Sequence, residues 1–236
     1  MKIFALDCAS VSASVALTDS KSLLGESFSN VKLTHSQTLL PMAQGLMENC
    51  RTCFSEVDVF AATVGPGSFT GVRIGVAALK GLADAVGKPC IGVSALETAA
   101  YPFRTFDGIV CAVMDARCAQ VYTAQFSGNT RLTEDAAMKI TELTDLLSQY
   151  NRPVLLTGDG AQKVLETIGE SCEFPLAAAA EQFCYPRASS AAYLAYEKLQ
   201  SGAEAVPAKA LQPLYLRLPQ AQRELNNKLK KEDKEN

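Results

Sequence analysis

The chain has 236 residues, of which 48% are hydrophobic and 20% are charged, so it is long enough for one large domain or two small ones with a substantial core. Its formal net charge of −3 leaves no basic footprint for independent binding of nucleic acid. No apolar run is long enough to cross a membrane, and Asp7 interrupts the apolar start that a secretory signal needs, so we expect a cytoplasmic protein.

The N-terminal half predicts an α/β arrangement of three strands followed by alternating helices and strands. The predicted strands are residues 3–7, 14–18, 23–28, 57–64 and 89–93, and the predicted helices are residues 36–49 and a run from about residue 68. The second half begins in the same way, with strands over 109–114 and 119–126 around the turn Asp115-Ala116-Arg117. A helix over 141–150 and a strand over 154–157 follow, which indicates a weak internal duplication.

The turn after strand 57–64 reads Gly65-Pro-Gly-Ser-Phe-Thr-Gly-Val-Arg-Ile-Gly75 and is the most informative part of the chain. A glycine-rich strand-to-helix turn suggests a phosphate cradle, because backbone N–H groups at a helix start attract anions. Its spacing matches neither a Walker loop nor a dinucleotide fingerprint, and Pro66 removes one donor. A nucleophile elbow is excluded as well, because Ser68 lacks the glycines required two residues away on either side.

The helix that leaves this turn carries two different faces. One face consists of small residues, namely Gly71, Gly75 and Ala78. The other face is apolar and consists of Val72, Val76, Leu79, Ala83 and Val86. A glycine within a helix costs about 1 kcal/mol relative to alanine, so we expect a second helix to pack closely on the small face and offset this cost. The sequence leaves open whether that helix belongs to this chain or to another molecule.

Four further segments carry a family resemblance together with the glycine-rich turn. They are Ala5-Leu-Asp-Cys-Ala9, His35-Ser-Gln-Thr-Leu-Leu-Pro41, Asp115-Ala-Arg117 and Pro213-Leu-Tyr-Leu-Arg217. On these motifs the sequence resembles the TsaB (YeaZ-like) family from residue 1 to about residue 217. Members of that family are bacterial partners in making the threonylcarbamoyl modification of adenosine (t6A) in tRNA.

The resemblance implies an actin-like ATPase fold (ASKHA, ribonuclease H-like), an α/β fold of two duplicated βββαβα-type lobes. We expect an N-terminal lobe over residues 1–103, a C-terminal lobe over residues 104–219 and a charged, disordered tail over residues 220–236. In active members the cleft between the lobes holds a nucleotide, at places that Asp7, Gly158 and Gly160 match in order. Tight turns of the fold are the preferred explanation of these residues, and we expect no cofactor.

His35 is the only histidine, so any Ser-His, Cys-His or histidine-metal scheme must use it. The catalytic relatives of the family, the TsaD/Kae1 proteins, carry a metal-binding His-x-x-x-His pair on a helix. In this chain the second position of that pair is Leu39, which cannot coordinate a metal. We interpret His35 as a polar residue at a helix start, with Thr34 as the N-cap.

The cysteines indicate reduced, mostly buried thiols. They are Cys8, Cys50, Cys53, Cys90, Cys111, Cys118, Cys172 and Cys184. Cys50 and Cys53 form the only C-x-x-C motif, at the end of the helix over 36–49, and structural zinc needs two further ligands at short spacing. We therefore predict neither a metal site nor a catalytic residue.

The resemblance implies a non-catalytic subunit that docks onto a catalytic TsaD/Kae1 homologue for threonylcarbamoylation of A37 in tRNAs that decode ANN codons. A TsaE-type ATPase is a further expected partner, tRNA is expected only through the complex, and the isolated chain is expected to form a homodimer. The predicted partner interface consists of His35, Leu39, Ala43, Leu46, Gly71, Val72, Arg73, Gly75, Val76, Ala78 and Leu79. Two alternatives stay open: an ATPase or small-molecule kinase that uses the inter-lobe cleft, and a metallopeptidase.

Overall fold

A computed structural model describes residues 1–31 and 33–217, which form two β-sheets with helices packed around them. The strands are β1 (Lys2–Asp7), β2 (Ala13–Asp19), β3 (Ser22–Ser29), β4 (Val59–Gly65), β5 (Pro89–Ser94), β6 (Ile109–Asp115), β7 (Gln120–Ser127), β8 (Thr130–Arg131), β9 (Ala136–Lys139), β10 (Val154–Thr157), β11 (Leu176–Ala178) and β12 (Val206–Pro207). The helices are α1 (His35–Asn49), α2 (Phe69–Ala85), α3 (Ala95–Ala100), α4 (Ile140–Ser148), α5 (Ala161–Ile168) and α6 (Ala188–Gln200).

The first sheet has the strand order β12-β5-β4-β1-β2-β3. β1 and β2 form an antiparallel hairpin, whereas β4 runs parallel to β1 with Leu6 opposite Ala62. β5 in turn runs parallel to β4, and α2 is the crossover between them. This register places Asp7, the last residue of β1, beside Thr63 of β4 at the carboxyl ends of the strands, where ligands of open α/β sheets bind.

The second sheet repeats this plan. Its order is β11-β10-β6-β7-β8, with β9 also paired to β7. β6 and β7 form an antiparallel hairpin, and β10 runs parallel to β6 as β4 does to β1. The predicted duplication is therefore confirmed, and the α/β fold of two related lobes is present.

The lobe boundaries differ from the predicted ones, because the chain returns to the first sheet after β11. Helix α6 packs on that sheet, with Ala191 and Ala195 in one buried cluster with Ile3 and Ala61. β12 pairs with β5, and the Leu214 N–H donates a hydrogen bond of 2.7 Å to the Val64 carbonyl. A C-terminal lobe over residues 104–219 is thus wrong for residues 188–217, and the predicted tail over residues 220–236 lies outside the described residues.

One apolar cluster joins the two sheets through α3. It contains Phe4 and Leu6 from the first sheet, Leu96 from α3 and Met114 and Ala124 from the second sheet. Because α3 is buried against both sheets, the two lobes share a core.

The small face of α2 packs inside the chain. A Cβ atom at Gly75 would lie 2.6 Å from the Cys8 sulfur and 3.1 Å from Leu6 Cδ1, and one at Gly71 would collide with the Cys8 carbonyl. The Cys8 thiol also donates to the Gly71 carbonyl, at 3.3 Å. The glycines therefore let α2 approach the end of β1, which answers the question that the sequence left open in favour of internal packing.

We predict opposite effects for two identical substitutions in α2. Gly75→Ala should destabilise the fold by about 1–3 kcal/mol, because overpacking against Cys8 outweighs the gain in helix propensity. Gly81→Ala should instead stabilise it by about 0.5–1 kcal/mol, because a Cβ there meets nothing within 4 Å. Urea denaturation of both variants, at a concentration too low for self-association, checks this. A Gly75→Ala variant as stable as Gly81→Ala would contradict the close packing of α2 on Cys8.

Candidate functional site

A cavity of about 800 Å³ lies between the two sheets. Its walls come from the turn after β1, the glycine-rich turn with the first turn of α2, the β6–β7 turn and the stretch from Leu214 to Arg217. Both lobes thus contribute to it, as the predicted inter-lobe cleft requires.

The glycine-rich turn is held against the end of β1 by backbone contacts. The Ser68 N–H donates to the Ala9 carbonyl at 2.7 Å, and the Ser68 hydroxyl accepts from the Gly71 N–H at 3.2 Å as the N-cap of α2. The hydroxyl that a nucleophile would need is thereby used to cap the helix. This supports the sequence-based conclusion that the turn is not a nucleophile elbow.

His35 begins α1 at the edge of the cavity and is half-buried. Its Nε2 lies 3.0 Å from the Ser10 carbonyl, so the ring ties α1 to the turn after β1. Thr34 stands at the N-cap position as predicted, but its side chain makes no capping hydrogen bond. The Gln37 N–H bonds to the Thr34 backbone carbonyl instead, at 2.9 Å.

Asp7 lies below the cavity and is completely buried. Neither of its carboxylate oxygens has a hydrogen-bond partner among the described residues, and the same holds for the Thr63 hydroxyl beside it. Burial raises the pKa of Asp7 to about 7, because the charged form loses its hydration. Weak attraction to Thr63 and to the Ala9 N–H lowers this pKa, and the negative charge of Asp159 raises it.

Asp159 faces Asp7 from the second lobe and lines the cavity. Burial raises its pKa to about 6, while the hydrogen bond of 2.9 Å from the Asp115 N–H lowers it. Asp115 itself accepts hydrogen bonds from the Arg117 N–H at 2.9 Å and from Lys163 at 3.0 Å. The carboxylates on the second-lobe side of the cavity thus have hydrogen-bond partners, whereas Asp7 has none among the described residues.

The predicted nucleotide positions are brought together at the same end of the cavity. Gly158 and Gly160 flank Asp159, and the Gly160 N–H donates to the Val113 carbonyl at 3.1 Å. A nucleotide-binding cleft holds a metal ion through ionised carboxylates, and Asp7 and Asp159 are the carboxylates that face each other here.

The predicted partner interface is wrong for most of its residues, because their side chains or Cα atoms are buried within the chain. These are Leu39, Ala43, Leu46, Gly71, Val72, Gly75, Val76 and Leu79. Arg73 is exposed, and His35 and Ala78 are half-buried. Helix α1 packs on β2 and β3, and helix α2 packs on β4, β1 and β5, so only the opposite face of each helix is available to a partner.

The thiols are all free. Cys8, Cys90, Cys111 and Cys184 are buried, Cys50 and Cys172 are half-buried, and Cys53 and Cys118 are exposed. Within residues 1–31 and 33–217 no three side chains of His, Cys, Asp or Glu form a group that could hold a metal ion. None of the helices in this part of the chain is both long and apolar enough to span a membrane.

We predict that Asp7 makes folding stability depend on pH. Its folded-state pKa of about 7 lies above the ordinary value of 3.8, so the folded state holds the extra proton and stability falls as pH rises between these values. The loss amounts to about 4 kcal/mol at most. Asp7→Asn should remove the part of the slope that Asp7 contributes and leave the smaller part that comes from Asp159, whose pKa burial raises to about 6. The variant should be more stable than the parent protein at pH 8.

Urea titrations at several pH values between 4.5 and 8.5 measure the slope. Asp145→Asn, which changes an exposed aspartate on α4, is the control and should keep the slope of the parent protein. An Asp7→Asn variant with an unchanged slope would show that Asp7 is not the group responsible.

Comparisons with known proteins agree with this architecture. The family model described as TsaD, tRNA N6-adenosine threonylcarbamoyltransferase, matches residues 29–225. The tRNA threonylcarbamoyladenosine biosynthesis protein TsaB of Bacillus subtilis is 32% identical over 229 residues, covering 94% of this chain and 96% of the relative. A Pseudomonas aeruginosa protein described by its similarity to peptidase YEAZ superposes with a TM-score of 0.78 at 28% identity, covering 92% of this chain and 99% of the other.

A more distant structure shows the fold alone. Component A of (R)-2-hydroxyglutaryl-CoA dehydratase from Acidaminococcus fermentans gives a TM-score of 0.51 at 13% identity, covering 85% of this chain and 99% of the other. The two lobes, the shared cleft and these similarities identify the actin-like ATPase fold. Sequence and structure together show that the chain belongs to the TsaB family.

Proposed function

We propose that this protein acts in the biosynthesis of threonylcarbamoyladenosine in tRNA as a subunit that supports a catalytic homologue and does not itself carry out the transfer. The observation that carries the proposal is the environment of His35. Its ring is used to hold the Ser10 carbonyl, and the residue four positions later, Leu39, is only 1% exposed in the apolar core. A histidine in place of Leu39, which the second metal ligand would require, would be buried in the apolar core without a hydrogen-bond partner.

The proposal extends to the complex. The modified nucleoside is A37 of tRNAs that decode ANN codons, the catalytic partner is a TsaD/Kae1 homologue, and a TsaE-type ATPase is a further component. The net charge of −3 supports a division of labour in which other subunits bind most of the tRNA.

The outward face of α2 is the surface that fits a partner helix. It is a stripe of exposed residues at helical spacing, namely Thr70, Arg73, Ala77, Gly81 and Asp84. Gly81 has open space where its Cβ would be, and so does Gly45 on the neighbouring helix α1. Nothing within the described chain requires glycine at these two helical positions, whereas a closely packed partner helix does.

The stripe is complementary to itself when a second copy lies antiparallel. In that arrangement the two α2 helices cross near Ala78, midway between Arg73 and Asp84. Arg73 of each copy then faces Asp84 of the other, and Ala77 and Gly81 lie near the crossing point, where their small size lets the helices approach. A two-fold axis at this point gives a closed dimer with both ion pairs formed. We therefore include homodimerisation of the isolated chain in the proposal.

We predict that charge reversal breaks and then restores the homodimer. Arg73→Glu and Asp84→Arg should each weaken self-association at least tenfold, because each places like charges opposite one another. The double variant restores the pairing and should associate to within about threefold of the parent protein. Sedimentation velocity over a range of concentrations measures the dissociation constants.

Lys198→Glu serves as the control, because it reverses a charge on α6, far from this stripe, and should leave association unchanged. Its thermal midpoint is recorded as well, since Lys198 pairs with Glu97 at 3.1 Å. A double variant as weak as either single variant would contradict the antiparallel arrangement.

We predict that the chain alone transfers no threonylcarbamoyl group to tRNA. Threonylcarbamoyladenylate and an ANN-decoding tRNA should give modified nucleoside only when the catalytic homologue is also present, and His35→Ala in this chain should leave the reconstituted activity within about twofold. Mass spectrometry of nuclease-digested tRNA detects the product. Modification by the chain alone would refute the non-catalytic role.

A further inference from the structure

The last described residues form a strap along one side of α2. We call residues 208–217 the C-terminal strap. Lys80 of α2 donates hydrogen bonds of 3.1 Å to the carbonyls of Lys209 and Leu211, and the Leu214 N–H reaches the Val64 carbonyl. The strap therefore follows α2 towards its N-terminal end, where its final residues line the inter-lobe cavity.

Two turns before Lys80 on the same helix, Arg73 contacts the strap through Tyr215. The Arg73 Nε donates a hydrogen bond of 2.7 Å to the Tyr215 hydroxyl, and the guanidinium lies over the Phe69 ring with its carbon 3.8 Å from the ring centroid. The rings of Phe69 and Tyr215 pack at a centroid distance of 4.6 Å. Three side chains thus hold one another at the N-terminal end of the exposed stripe.

This cluster fixes a guanidinium group that is still open to solvent. The Nε bond is the only hydrogen bond from Arg73 to another residue within the described chain, so its terminal nitrogens remain available to an acceptor. A guanidinium held flat on an aromatic ring loses less rotamer freedom on binding than a free arginine does. Tyr215 is itself 41% exposed beside it, and tyrosine and arginine are enriched among the residues that dominate interface energies.

We propose that Tyr215 is a positioning residue of the docking surface: the strap holds Arg73 in the orientation in which it pairs with a carboxylate on a partner helix. This inference rests on the proposed function, because it assigns the exposed stripe of α2 to a partner. The partner is α2 of a second copy, which presents small residues and the carboxylate of Asp84. The strap is therefore part of the interface as well as part of the cavity wall.

Tyr215→Phe tests the inference, because it removes the hydroxyl and keeps the ring. We expect the homodimer of the full chain to weaken about five- to tenfold, with a thermal midpoint close to that of the parent protein. Tyr101→Phe is the matched control. Its hydroxyl donates to Glu197 at 3.0 Å, and its ring centroid lies 3.8 Å from the Arg104 guanidinium carbon. This cluster joins the turn after α3 to α6 and should not affect association.

A double-mutant cycle separates positioning from general loss of contact. In an Arg73→Gln background, which has no guanidinium to position, Tyr215→Phe should change the dissociation constant by less than twofold. Equal weakening in both backgrounds, or no weakening in either, would overturn the role assigned to Tyr215. If Arg73→Glu also leaves self-association unchanged, the exposed stripe of α2 is not the docking surface, and the proposed function fails in that respect. If Arg73→Glu weakens self-association but Tyr215→Phe does not, only the role assigned to Tyr215 fails.

Discussion

The close approach of α2 to the end of β1 is the contact on which the rest of the molecule depends. Gly71 and Gly75 allow the helix to rest on the backbone and side chain of Cys8, and no side chain could be placed between them. With that distance fixed, Ser68 caps the helix, the glycine-rich turn forms one wall of the cavity, and the opposite side of α2 faces solvent. Because Gly71 and Gly75 must face Cys8, the rotation of α2 about its own axis is fixed, so internal packing determines which residues a partner meets.

The same contact explains why the small residues of α2 have two different roles. Gly71 and Gly75 face Cys8, which leaves no room for a side chain at either position. Ala77 and Gly81 are exposed on the opposite side, and a Cβ atom at Gly81 would meet nothing within the described chain. Sequence spacing alone cannot separate these sets, because a helix of 3.6 residues per turn repeats small residues on both sides. The direction of each face is decided by β1, which is distant in sequence.

Much of the fold could be predicted from the sequence. The first-lobe strands, α1, α2 and the β6–β7 hairpin follow from local periodicity and turn residues, which are strong in this chain. Helix α6 could not be found in this way, because its buried face consists largely of alanine at positions 188, 191, 192 and 195, which gives little hydrophobic contrast. Its return to the first sheet is a long-range contact with no local pattern. The site was predicted in part: Asp7 faces Asp159 of the Gly158–Gly160 turn, but the isolation of Asp7 from hydrogen-bond partners depends on burial that only the folded structure defines.

Under the function proposed above, one docking surface serves both a second copy and a catalytic homologue, and this couples two equilibria. Each copy held in a homodimer is unavailable to the homologue, so the apparent affinity for the homologue falls as the concentration of this chain rises above its own dissociation constant. The open surface contains only one cation and one anion on a stripe of small residues, which suits an interface that can exchange partners better than one that is permanently buried. In the proposed arrangement the strap positions Arg73 before any partner arrives. The choice between a second copy and the homologue then depends on which of them presents its carboxylate at the better place.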